Sequence, residues 1–382
     1  MEYYLDNAAT TRISSEVFQD ILPFIGINFG NPSSLHRMGV QAKEALSKAR
    51  KSVAKYINAK PEEIYFTSGG SEANTWALMG LIPFLKEQKK THIITSAIEH
   101  SSILETCKEL EKQGFIITYI SPDTDGIISE KDVEKQITPE TGLVSIMSAN
   151  NEIGTIQPVF KIGKICHKNG VLFHTDAVQA LEDVRFNMSY NYIGLMSMSA
   201  HKVHGLKGCG ALYIKKSTSL SPLIFGGNQE QGLRSGTENV LGVISFGSAL
   251  EHLSPIRDDK ILRKTHLRDL LIAKLSKVEG SYINGSKGKR LSGNINISFN
   301  GVEGESLGLR LSSKKIYLST GSACHSGSLA PSHVLTAIGL EDNLARSAIR
   351  ISLEDDLTEK DIDEIARVIM REVRFLRRLN QK

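Results

Sequence analysis

Short apolar runs alternate with amphipathic stretches along most of this chain. Ile64–Thr67, His92–Thr95, Phe115–Ile120, Leu143–Met147 and Val171–Phe173 are apolar runs bounded by polar or glycine-bearing turns, the pattern of buried strands. Between them, apolar residues recur at helical spacing. An extended arm, Tyr3–Thr11, leads into a helix starting near Ser14 or Ser15. Asn31-Pro32-Ser33-Ser34 is a loop, with Ser33 or Ser34 as cap for a helix running to about Tyr56. Further helices pass through Trp76 and Leu81, run from about His100 to Gly114, and cover Ile162–Asn169. The stretch Met196–Tyr213 reads as strand, glycine-rich loop and strand, with Lys202 in the loop. This alternation predicts an α/β fold whose mainly parallel central sheet has helices on both faces.

After Gly236 the pattern changes. Val240–Leu253 reads as an apolar helix that Ser254-Pro255 ends, because proline cannot continue the hydrogen-bond ladder. A charged helix over Asp258–Val278 follows. Then come a strand at Asn294–Phe299, a helix at Glu305–Leu311, a short strand at Ile316–Leu318 and two closing helices. These form a smaller α+β unit. The expected division is a large domain over 15–253 and a small one made of 1–14 and 254–382, the latter carrying a loop at 318–328. In the last helix Ile362, Ile365, Val368, Ile369, Val373 and Leu376 keep helical spacing, so its many arginines read as a solvated face.

Composition adds exclusions. A chain of 382 residues exceeds one typical core, and 40% hydrophobic with 23% charged residues is ordinary for a globular protein. A net charge of +4 is weak for this length and argues against direct nucleic-acid or membrane binding. No apolar run reaches membrane-span length, and the N-terminus lacks a signal-peptide pattern. Cys107, Cys166, Cys209 and Cys324 are far apart, with no Cys-x-x-Cys pair, so a reducing cytoplasm is the simplest compartment.

Candidate chemistry gathers at predicted strand ends, where open parallel sheets bind ligands. Ser68-Gly69-Gly70-Ser71 open a helix and suit a phosphate. Glu99 and His100, Asn151, Asp176 and Gln179, and His201 and Lys202 follow other strands. Taken singly, each has a plain structural alternative: a turn, a cap, a surface lysine. Together, a lysine, an aspartate and a phosphate cradle are what pyridoxal phosphate requires, as Schiff-base amine, partner of the pyridinium nitrogen and anion site. His100 suits a ring stacked on the cofactor. No G-x-G-x-x-G follows the first strand and no Walker sequence is present. His201 and His204 lack a nearby carboxylate or cysteine in a helical frame, so no metal is expected. A second stretch, Leu318–Ser328, surrounds Cys324 with small residues. That leaves its thiol accessible, and His325 favours the thiolate.

At this point the chain resembles the cysteine desulfurases, the NifS/IscS-like branch of the class V aminotransferases. The resemblance rests on Tyr4-Leu-Asp-Asn-Ala-Ala-Thr-Thr11, Gly30-Asn-Pro-Ser-Ser34, Phe66-Thr-Ser-Gly-Gly-Ser-Glu72, Glu99-His100 and Asn150-Asn-Glu-Ile-Gly154. It continues through His174-Thr-Asp-Ala-Val-Gln179, Ser199-Ala-His-Lys202, Arg234-Ser-Gly-Thr237, Gly321-Ser-Ala-Cys324 and Ser347-Ala-Ile-Arg350, all in family order. It implies the fold type I of pyridoxal-phosphate-dependent transferases. Lys202 would then hold the cofactor and shuttle protons. Asp176 would pair with the pyridine nitrogen and Gln179 with the ring hydroxyl. His100 would stack and assist proton transfer. Gly70, Ser71, Ser199 and His201 would hold the phosphate, joined by Thr237 across a homodimer. Arg350 with Asn151 would grip the carboxylate of L-cysteine. Cys324, in the mobile-loop subgroup, would take the substrate sulfur as a persulfide for an acceptor protein, leaving L-alanine. An alternative within the class is an aminotransferase or selenocysteine lyase in which Cys324 is not the nucleophile. The acceptor would serve iron–sulfur cluster biogenesis, tRNA thiolation or DNA modification.

Three positions depart from the family pattern. Ala200 stands at a usual glycine, and His204 and Leu206 at a usual tyrosine and proline. The chain ends at Lys382, shortly after its last helix, where housekeeping members carry a longer scaffold-docking tail. A specialised acceptor is therefore expected as readily as a standard scaffold.

Overall fold

The computed structural model describes residues 2–190, 192–320 and 331–379. Its centre is a seven-stranded sheet. In spatial order the strands are Ile64–Thr67, Gly210–Ile214, Leu195–Ser199, Leu172–Asp176, Thr141–Ser145, His92–Ser96 and Ile116–Ile120. Gly210–Ile214 pairs antiparallel with both its neighbours, and the remaining pairs are parallel. The mainly parallel sheet expected from the alternation is therefore present. Five of these strands (Ile64–Thr67, His92–Ser96, Thr141–Ser145, Leu195–Ser199 and Gly210–Ile214) are buried at every position, which is why they read as continuous rather than alternating apolar runs.

Two apolar clusters cover the sheet. One joins Trp76, Leu78, Leu110 and Leu143, and the other joins Val53, Ile94, Val144, Phe173 and Phe246. A third cluster lies under a separate four-stranded antiparallel sheet. Its spatial order is Ser319–Thr320, Ala348–Ser352, Asn294–Phe299 and Ser281–Ile283. The helix Glu359–Leu379 lays Ile362, Ile365, Ile369 and Val373 onto that cluster, as the spacing predicts.

The structure corrects three expectations. Ser254-Pro255 does not end a helix: one helix runs over Val240–Leu275 with Pro255 inside it. Proline costs about 3 kcal/mol in a helix interior. Packing at both ends outweighs that cost. The first half meets Ala49 and Val53 of the helix Arg37–Tyr56, and Leu267, Leu271 and Leu275 in the second half join the other cluster. Residue 253 thus falls within this continuous helix. The cap of Arg37–Tyr56 is His36, whose ring accepts from Gly39 N–H at 3.3 Å, and not Ser33 or Ser34. The closing segment also holds more than two helices. Ala348–Ser352 is a fully buried strand, preceded by short helices at His333–Ala337 and Asp342–Arg346.

The N-terminal arm ties the two sheets together. Tyr3–Tyr4 pairs parallel with Ile316–Tyr317, and Asp6 bridges to Ser352. The arm then crosses to the Lys202 turn, where Thr11 N–H donates to the His201 carbonyl at 3.0 Å.

Candidate active site

The carboxyl ends of the parallel strands open into a cavity of about 320 Å³. It is lined by Gly70, Ser71, His100, Asn151, Asp176, Gln179, Ser199, His201, Lys202 and Arg350. Residues spread over nearly three hundred positions converge there because the crossovers return every parallel strand to the same edge.

Lys202 stands in a short 3-10 turn, Ala200–Lys202, directly after the Leu195–Ser199 strand. Its Nζ donates to the Ala8 carbonyl and, at 2.7 Å, to that of Ala9. Ala200 is fully buried, and a Cβ built on Gly205 would stand only 3.0 Å from the Ala200 Cβ. The extra methyl at residue 200 is therefore accommodated because residue 205 has none. Gly210 plays a similar part on the neighbouring strand. A Cβ there would meet the Gly69 backbone and the Met198 carbonyl at 2.6 Å, so glycine lets the Ser68–Ser71 loop lie against the sheet.

Asp176 ends the Leu172–Asp176 strand and is buried. One carboxylate oxygen accepts from Asn74 Nδ2 at 2.6 Å and the other from Val178 N–H at 2.9 Å. His100 caps the helix Ser101–Lys112 and also faces the cavity. Its Nδ1 accepts from Ser102 N–H at 3.1 Å, so the proton of the neutral ring sits on Nε2. His201 is held through Nδ1 by Thr10 Oγ1 at 3.1 Å. Burial, with Lys202 nearby, pushes its pKa down to about 4, so it is neutral at neutral pH. Gln179 donates to the Ala8 carbonyl at 2.8 Å.

Arg350 reaches the cavity from the second sheet. Its Nη2 donates to Asp6 Oδ1 at 2.8 Å and to Ser319 Oγ at 2.9 Å, and its Nη1 to the Asn151 carbonyl at 3.2 Å. Among the described residues, Arg350 Nε, Ser199 Oγ and Asn74 Oδ1 are buried with no protein partner. Unmatched buried donors are costly, and a ligand that satisfies them gains accordingly. Ser199 Oγ lies beside a helix, Gly70–Met79, whose first turn has no side-chain cap. That end of the cavity fits a phosphate. Arg350 Nε fits a carboxylate at the other.

Thr237 lies elsewhere. It lines a separate cavity of about 200 Å³ with Ser68, Arg234 and Asn239. Cys324 and most of the expected loop 318–328 lie outside the described residues. The cysteines that are described behave structurally. Burial pushes the thiols of Cys107 and Cys166 up to about 12 and raises that of Cys209 as well. Glu182, His204 and Asp355 bring one ligand atom each within 4.8 Å of one another. Lys260 and Lys264 already occupy those carboxylates at 2.7–3.3 Å, so a cation would have to displace two ammonium groups.

Several supporting residues escaped sequence reasoning. Asn74 holds Asp176 and follows Ser71 by one helical turn, a spacing that could have pointed to it. Asp6 and Ser319 hold Arg350. Glu99, already singled out with His100 in the sequence, is buried and accepts from Ser96 Oγ and Met147 N–H. Burial, with the Asp176 charge adding to it, raises its pKa to about 8.

Fold and site together define a pyridoxal-phosphate-dependent enzyme of fold type I. The family profile described as Aminotransferase class-V matches residues 3–365, and the chain belongs to that family. Cysteine desulfurase IscS of Methanosarcina thermophila is 46% identical over 377 residues, covering 99% of this chain and 93% of that protein. A solved structure described as a NifS-like protein superposes with a TM-score of 0.92 at 38% identity, covering 98% of this chain and all of that one. Another, SspA in complex with cysteine, gives a TM-score of 0.80 at 37% identity over 92% of this chain and 99% of that one.

Proposed function

We propose that this chain is a cysteine desulfurase: it removes sulfur from L-cysteine, giving L-alanine and a persulfide on Cys324 that passes to an acceptor. The carrying observation is the cavity itself. Lys202 and Asp176 line it together with two unmatched buried donors, Ser199 Oγ and Arg350 Nε. The IscS and NifS-like relatives support the same reading.

Pyridoxal phosphate, when bound, supplies an electron sink for the substrate carbons. Gly70, Ser71, Ser199 and His201 would hold its phosphate, Asp176 its ring nitrogen and Gln179 its ring hydroxyl. Asn74 and the Val178 N–H keep the Asp176 carboxylate aimed. His100 would stack on the cofactor ring and pass protons through Nε2, its Nδ1 being held by Ser102 N–H. Lys202 holds and moves the proton at the substrate α-carbon. Arg350, with Asn151, orients the substrate carboxylate. The Cys324 thiolate attacks the substrate sulfur. An S–S bond forms as the carbon–sulfur bond breaks, and the electron pair stays with the carbon that becomes the alanine methyl and takes up a proton.

We place the domain division at 15–253 against 1–14 with 254–382; the cluster under the second sheet, drawn wholly from 1–14 and 254–382, supports it. We also propose a homodimer in which Thr237 reaches the site of a second copy, and a protein acceptor for the sulfur. The cytoplasm is the proposed compartment, supported by the free thiols of Cys107, Cys166 and Cys209. No helix among the described residues is long and apolar enough to cross a membrane. Replacing Cys324 with alanine tests the activity. Persulfide and alanine formation should vanish while the colour of the bound cofactor stays. Undiminished desulfuration would favour a class V enzyme with another nucleophile.

A further inference from the structure

A second, smaller polar chamber of about 60 Å³ shares Ala8, Gln179 and Lys202 with the cofactor cavity, so these three residues form the wall between them. His204 lines this chamber. Its backbone is left-handed (φ +68°), a conformation histidine adopts more readily than most residues. The His204 N–H donates to Thr11 Oγ1 at 2.9 Å, and its carbonyl accepts from Ser14 N–H at 3.3 Å.

The ring spans two units. Nδ1 is 2.9 Å from the Arg12 carbonyl and Nε2 is 3.0 Å from Asp355 Oδ2. Both partners are acceptors, so the ring satisfies both only as an imidazolium. Lys260 Nζ lies 3.2 Å from the same Nε2 and can donate to it once the ring is neutral. The ring therefore has two arrangements: protonated, it bonds Asp355; neutral, it bonds Lys260 and turns a lone pair toward the Asp355 carboxylate. The charged groups around it are Asp355 and Glu354 from the C-terminal segment, Lys260 and Lys264 from the long helix, Glu182 and Asp183 after Leu181, and Arg12 from the arm.

The arm that His204 fastens is the one that holds Lys202. Ala8 and Ala9 accept from Lys202 Nζ, Thr10 meets His201, and Thr11 donates to the His201 carbonyl. We propose that His204, clamped as an imidazolium between the Arg12 carbonyl and Asp355, is a positioning residue for Lys202, fixing the amine through the N-terminal arm in a pH-dependent way. The proposal rests on the reading that Lys202 carries the cofactor.

The test measures how fast the holoenzyme sheds pyridoxal phosphate, read as cofactor absorbance after gel filtration, with melting of the same samples as a control for folding. His204→Asn keeps a donor for Arg12 and tolerates the left-handed backbone but does not reach Asp355. At about pH 6 it should shed cofactor about tenfold faster than wild type, the effect of one lost charged hydrogen bond. At about pH 9 the excess should be smaller, because loss of the ring proton removes the bond to Asp355 in the wild type as well. Asp355→Asn takes away the carboxylate charge without touching the turn; it also weakens the Lys260 and Lys264 pairs at both pH values, so its expected signature is an excess over wild type that is larger at about pH 6 than at about pH 9. Rates equal to wild type at both pH values, or an acceleration of the same size at both, would overturn the proposal. A wild-type protein that takes up no cofactor would overturn the Lys202 reading and the proposal together.

Discussion

Arg350→Lys isolates the fork from the charge. Arg350 is buried in the second sheet and already spends its Nη groups on Asp6, Ser319 and the Asn151 carbonyl. What remains for a substrate carboxylate is the edge that includes the unmatched Nε. A lysine keeps the positive charge. Its compact ammonium cannot satisfy Asp6 and a substrate carboxylate with the same geometry. Hydrogen bonds to charged groups contribute about 1.5–3 kcal/mol each, and the retained charge returns part of that, so about 2–3 kcal/mol of substrate binding should be lost. That corresponds to a rise in KM of about 30–150-fold. The carboxylate is held alike before and during the reaction, so kcat should stay within about threefold of wild type. The assay is steady-state alanine formation from L-cysteine, with cofactor content and melting temperature measured on the same samples. An unchanged KM, or a loss confined to kcat, would refute the assignment of Arg350 as the carboxylate grip.

Two further substitutions test the interior of the site. Asp176→Asn leaves a side chain of the same shape but removes the charge, so kcat should fall by about a hundredfold or more while cofactor remains bound; a holoenzyme of near wild-type kcat would contradict the role of Asp176. Glu99 has a pKa raised from 4.5 to about 8 in the folded state. Between those values the folded protein keeps a proton that the unfolded chain has released, so stability falls as pH rises through that window, by about 1.4 kcal/mol per pH unit at most. Glu99→Gln should flatten this slope in urea unfolding at a series of pH values, and an unchanged slope would show that Glu99 is ionised in the fold.

Much of the seven-stranded sheet was legible because most of its strands are buried on both faces and several end in polar residues. The runs ending at Thr67, Thr95 and His174-Thr175-Asp176 announce both the strand and the site at its tip. The four-stranded sheet was harder. Ala348–Ser352 reads Ala-Ile-Arg-Ile-Ser, with an arginine inside a fully buried strand, and only Asp6, Ser319 and the cavity explain why a charge is tolerated there. Pro255 is a strong local stop signal that packing at both ends of Val240–Leu275 overrides. His36 displaced the serines as a cap because its ring reaches Gly39 N–H, a contact no propensity scale favours. Asp6 and Ser319 act through contacts with Arg350, distant in sequence, which spacing alone does not reveal. His204 was visible as a departure from the family pattern, but its meaning came only with Asp355 on the other side of the chamber.

The central claim, that the cofactor held at Lys202 serves sulfur removal by Cys324, is tested most directly by mass spectrometry of the protein after one turnover with L-cysteine. The wild type should gain the mass of a single sulfur atom on the peptide containing Cys324, with one alanine released per sulfur. Cys324→Ser should gain none while still binding the cofactor. Alanine formed at the wild-type rate by Cys324→Ser, or sulfur found on another cysteine of the wild type, would contradict the account.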